Sequence, residues 1–99
     1  MIDDMTRHIG ILSVAIHIPS SQSLKDKRMV SKSLKERIKS KFNVSVAELD
    51  GQDTWQRTTL GIVMIGNDNR YVDSTLQNIL SYIESFHQCE ICDHDIEFR

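Results

Sequence analysis

The 99-residue sequence predicts an α+β fold, a four-stranded antiparallel sheet with two helices on one face. Three observations predict it. Apolar residues alternate with period two in four stretches. In two other stretches they recur every three to four residues. Breakers such as Pro19, Asp50-Gly51 and Gly66-Asn67-Asp68 fall between these stretches and leave the order β-α-β-β-α-β.

Residues 9–18 form the first strand. Leu12, Val14, Ile16 and Ile18 share one face, and Ile11, Ser13, Ala15 and His17 share the other. Pro19 ends the strand because it has no N–H to donate to a ladder. Ser23 with Asp26 three residues on reads as a capping box that opens a helix. Val30, Leu34, Ile38 and Phe42 then recur at i+4 as its buried face. Residues 43–49 form a short second strand, and Asp50-Gly51-Gln52-Asp53 a turn. The third strand spans 55–65, with Leu60, Ile62 and Met64 opposed to Gly61, Val63 and Ile65. Asn67 or Asp68 caps a second helix, in which Val72, Leu76, Ile79, Leu80 and Ile83 make a clean amphipathic pattern. Residues 89–98 form a weaker fourth strand with Cys92, Ile96 and Phe98 on one face.

This is the ferredoxin-like, split-βαβ arrangement. Right-handed crossovers place its strands in the order 4-1-3-2. The chain length is that of one domain with a modest core, residues 1–7 being an N-terminal extension. No apolar run approaches the roughly 18 residues of a membrane span, and the acidic start is the wrong order for a secretory signal. With two cysteines there is no disulfide framework, so a reduced cytoplasm is the expected setting. Strands one and three are apolar on both faces, which points to a covered sheet face and a homodimer. The competing reading is a monomer with a tolerated apolar face.

Charge is distributed unevenly. Eight of the twelve Lys/Arg lie between Lys25 and Lys41, against Asp26 and Glu36, giving +6 there and −8 elsewhere. Projected at about 100° per residue, Lys25, Arg28, Lys32, Lys35 and Lys39 fall within an arc of about 80°. Lys27, Arg37 and Lys41 are assigned to the opposite flank of the apolar face. A helix needing only solubility could interleave Glu, whereas a stripe of like charges suits phosphates. The stripe is therefore a candidate nucleic-acid-binding surface, with RNA or a ribosomal component as partner. The bland alternative is a solvated face. The acidic residues Glu90, Asp93, Asp95 and Glu97 belong to strand four, at the far edge from the first helix, and so do not neutralise it within the chain.

Other constellations are weaker. His87, Cys89, Cys92 and His94 are residue types of a zinc site. Their spacing on a strand sends Cys89 and Cys92 to opposite faces, which favours a buried Cys92 and a half-exposed Cys89. Trp55 and Arg57 form either an interaction loop for a protein partner or an indole capping the sheet edge with Arg57 stacked nearby. No glycine-rich phosphate loop, nucleophile elbow or HExxH motif appears, and Asn67 with Arg70 only faintly echoes acylphosphatase chemistry. No enzyme activity, cofactor, metal or small-molecule substrate is expected. RNA recognition motifs stack bases on aromatics of the central strands, which are missing here, so binding by the helix would carry little sequence preference.

The segments Ser23-Leu24-Lys25-Asp26-Lys27-Arg28, Phe42-Asn43-Val44-Ser45-Val46-Ala47-Glu48 and Asp53-Thr54-Trp55-Gln56-Arg57, with Gly61, resemble the YlxP-like family of small bacterial proteins of unknown function. The resemblance spans the chain after its first seven residues. It implies a ferredoxin-like fold and, through gene neighbourhood, a link to translation or ribosome maturation. The family has no established activity and so implies no catalytic residues. Its C-terminal strand is typically poor in cysteine, which makes Cys89 and Cys92 peculiar to this member.

Overall fold

A computed structural model describes residues 6–50, apart from the side chain of Asp50, and 54–99. Residues 1–5 of the expected extension and positions 51–53 of the expected turn lie outside the described residues. The elements run β1 (His8–His17), α1 (Leu24–Lys41), β2 (Ser45–Asp50), β3 (Arg57–Gly66), α2 (Asn69–Glu84) and β4 (Glu90–Phe98). They form the expected α+β, ferredoxin-like fold. The antiparallel sheet is ordered β2-β3-β1-β4 and carries both helices on one face.

Alternation decides which strand residues enter the core. Leu12, Val14 and Ile16 of β1 and Leu60, Ile62 and Met64 of β3 are buried beneath the helices. Leu34 and Ile38 of α1 meet them, with Val72, Leu76, Ile79, Leu80 and Ile83 of α2. Each fully buried Leu or Ile contributes on the order of 2 kcal/mol. Gly10 permits close helix packing on β1. A Cβ there would sit 2.6 Å from Val72 Cγ1 and 2.7 Å from Leu76 Cδ1, so α2 would have to shift.

Both helices begin as their caps predict. Ser23 Oγ accepts from the Asp26 N–H at 3.0 Å, and Asp68 Oδ1 accepts from the Arg70 N–H at 3.0 Å. The return bond of the first cap goes one residue further out than a capping box requires. Asp26 Oδ2 accepts from the Gln22 N–H at 3.1 Å.

The expectations for Lys27, the cysteines and the start of β3 need correction. Lys27 does not join Arg37 and Lys41 on a flank: it is 0% exposed, beside Leu34 and Ile38. At about 100° per residue it projects between those two, so the apolar arc itself contains it. The cysteines exchange their expected places, Cys89 being buried and Cys92 exposed. The cause is a register shift between Ala15 and Ile16, which leaves Cys92 without a partner between Ile91 and Asp93. Finally, β3 starts at Arg57, and Trp55 lies in a turn before it.

The sheet face away from the helices is apolar at its centre. Val63 and Ile65 are 41% and 63% exposed there, alongside half-buried Ile9 and Ile11. Leu49 folds over Gly61, where a Cβ would lie 2.7 Å from Leu49 Cδ1. Among the described residues, no helix is long and apolar enough to cross a membrane.

Candidate nucleic-acid interface

The basic stripe forms one wall of a groove between α1 and β2. On β2, Val46 and Glu48 pair with the buried Ile62 and Leu60 of β3, so their side chains face the helices. Ser45, Ala47 and Leu49 alternate to the other face. The result is a groove of about 400 Å³ with Arg28, Lys32, Lys35 and Lys39 along the helix side and Val46 and Glu48 on the strand side. Ser31 and Glu36 complete its lining. Lys25, the fifth residue of the stripe, is exposed on the first turn of α1, beyond the groove lining. Val46 is the apolar residue of this lining, half-buried between the cations and the core.

The carboxylate on the strand side is already engaged. Ser31 Oγ donates to Glu48 Oε2 at 2.6 Å, and Lys27 Nζ lies 4.0 Å from Glu48 Oε1. Lys27 and Ser31 stand one helical turn apart on the buried side of α1 and reach the same side chain. A buried ammonium is tolerable only with charge and hydrogen-bond partners, because its desolvation costs several kcal/mol. Lys27 therefore balances the acid at the groove's edge from beneath. The exposed cations do not have to.

No carboxylate oxygen among the described residues lies within 4.0 Å of Lys25, Arg28, Lys32, Lys35 or Lys39; the ion pairs present are His17–Glu90, Lys27–Glu48 and Arg99–Glu97. The acidic column of β4 is remote. Asp93, Asp95 and Glu97 pair with Ala15, Ser13 and Ile11 and thus belong to the helix-free face. Strand β4 is also three strands from β2, about 14 Å at sheet spacing. That exceeds the Debye length of about 8 Å at physiological salt.

On its other flank α1 uses its cations differently. Arg37 lies over the Phe86 ring, 5.2 Å from its centroid, and Lys41 over Tyr82 at 5.0 Å. Arg57 has no such ring: among the described residues these two are the cation–ring contacts, so the expected stacking of Arg57 near Trp55 does not occur. Trp55 is 49% exposed. Its neighbour Gln56 donates through Nε2 to the Ser21 carbonyl at 3.1 Å, and the Gln56 carbonyl accepts from the Ile18 N–H at 2.8 Å.

The C-terminal cluster does not assemble. His87, Cys92 and His94 are exposed, while Cys89 turns into the core. Burial, with the nearby Glu90 carboxylate second, pushes the Cys89 thiol up to about 11. It is therefore a protonated, inert thiol near neutral pH. Among the described residues, no group of three or more His, Cys, Asp or Glu is placed to hold a metal ion.

Helical projection located the stripe from sequence, but the strand side of the groove was missed. Its signal was available, since the alternation that buries Val46 also turns Glu48 toward α1.

The family model described as "Protein of unknown function (DUF503)" matches residues 9–96. A Bacillus subtilis (strain 168) protein described as "Uncharacterized protein YlxP" is 40% identical over 82 residues, covering 83% of this chain and 89% of its own length. Among solved structures, "De novo designed protein Foldit4" is similar with a TM-score of 0.50 at 15% identity, over 92% of this chain and 96% of that one. That likeness concerns the fold alone.

Proposed function

The chain belongs to the DUF503 family of proteins of unknown function, and we propose that it binds RNA, free or within a ribosomal particle. In this reading Lys25, Arg28, Lys32, Lys35 and Lys39 contact phosphates along α1. The supporting observation is a groove lined by four cations whose strand-side acid is already paired with Lys27 and Ser31. Each phosphate neutralised releases counterion, so affinity comes from the backbone and carries little base preference. The setting is the cytoplasm, where free thiols such as Cys89 and Cys92 remain reduced.

Titration with a structured RNA at several salt concentrations tests this. The log–log salt slope should be steeply negative and should flatten by about one unit for each lysine removed. A flat slope, or unchanged affinity in Lys32→Glu/Lys35→Glu, contradicts it.

A second reading concerns protein contacts. The exposed Val63, Ile65 and Leu49 make the helix-free face a docking surface for a second copy, with the Trp55–Arg57 turn as the alternative contact to other proteins. Light scattering at micromolar protein should give twice the monomer mass, and an Ile65→Asp variant the monomer mass. A monomeric wild type ends the dimer reading.

A further inference from the structure

Trp55 stands at the end of the molecule where the basic stripe begins. Three links place it there. Gln56 is bonded to Ser21 and Ile18. Ser21 Oγ in turn donates to the carbonyl of Ser23 at 3.0 Å, and Ser23 caps α1. Strand β2, the second wall of the groove, runs toward the same end, since its Glu48–Asp50 segment pairs with the start of β3. The stripe then extends from Lys25 to Lys39 over about 21 Å of helix.

The indole is half exposed in a turn that Gln56 ties to Ser21 and Ile18, and so offers apolar aromatic surface to a partner. No other aromatic ring lies against it among the described residues, where the ring pairs are Phe42–Tyr82 and Phe86–His87. Arg57, the next exposed cation, follows two residues later. A row of cations leading to an exposed aromatic is the combination that single-stranded nucleic acid uses, phosphates along the groove and a base on the ring. A paired duplex offers phosphates to the same cations, but its bases remain stacked on each other and present no face to the indole.

Building on the groove reading, we propose that its ligand is single-stranded RNA, with one base stacked on Trp55 where the groove starts. The stacked base marks the end of the bound segment, and the strand then follows α1 toward Lys39. Every base has a π-face, so this contact selects for unpaired RNA and not for a sequence.

Trp55 is the chain's only tryptophan, so its fluorescence reports the contact directly. The full chain is titrated with a short labelled oligouridylate, and with the same strand annealed to its oligoadenylate complement. Label anisotropy reads binding and indole emission reads stacking. The single strand should bind more tightly than the duplex and quench the emission. Trp55→Leu should weaken single-strand binding about tenfold with an unchanged salt slope, and Trp55→Phe should restore most of it. Binding with undisturbed emission and equal affinity in Trp55→Leu overturns the stacking proposal and leaves the groove reading intact. Absence of binding to either RNA overturns both.

Discussion

Both flanks of α1 carry cations, two on one side and four on the other, and they are engaged differently. Toward α2, Arg37 and Lys41 lie over Phe86 and Tyr82, about 5 Å from the ring centroids. Contacts of this kind contribute about 0.5–1 kcal/mol each at partly exposed sites. Toward β2, Arg28, Lys32, Lys35 and Lys39 face a groove and no ring or carboxylate engages them among the described residues. Between the flanks, Lys27 is buried against Glu48. Basic residues on one helix thus separate into stitching, buried and open groups. Only the open group is available to a partner, and net charge alone does not distinguish them.

The largest effect should come from the buried group. Glu48→Ala removes the acceptor of Ser31 and a counter-charge of Lys27 together, and should lower stability by about 2–3 kcal/mol in urea denaturation. Lys27→Met in the same background should recover part of that loss, because an apolar side chain of similar length replaces a buried ammonium that has lost one counter-charge. Equal stability of Glu48→Ala and the wild type would mean that Glu48 does not support the groove.

The smallest effect should come from the open group, and with the opposite sign. Lys35→Glu breaks the like-charge row and forms a Glu-to-Lys pair with Lys39 at i+4. It should raise stability by a few tenths of a kcal/mol while weakening RNA binding. Gained stability with lost binding is the signature of a surface kept basic for a ligand. A loss of stability in this variant would instead place Lys35 in the structural group.

The fold was legible in the sequence because its signals agree locally. The α2 pattern of Val72, Leu76, Ile79, Leu80 and Ile83 is buried throughout, and Leu12, Val14 and Ile16 alternate into the core as their spacing requires. The errors arose where a residue's type outweighed its position. Lys27 groups with Arg37 and Lys41 when charge alone sorts the helix, but its angle lies between those of Leu34 and Ile38 and it is buried. A strand regular through Cys92 would bury that residue and expose Cys89, and the one-residue bulge at Cys92 reverses both. The helix side of the groove could be found by projection. The strand side is legible only by combining the alternation of Val46 and Glu48 with the strand order that sets β2 beside β3, since a single Glu on a short strand makes no pattern of its own.

Charge reversal on each flank in turn tests the division most directly. RNA affinity is measured across a salt series for Lys32→Glu/Lys35→Glu and for Arg37→Glu/Lys41→Glu, two substitutions of equal formal charge. The first pair should flatten the log–log salt slope by about two units and abolish most binding at physiological salt, while the second should leave the slope close to that of the wild type. Equal losses from the two pairs, or a wild-type slope in the first, would contradict a binding surface confined to the β2 side of α1.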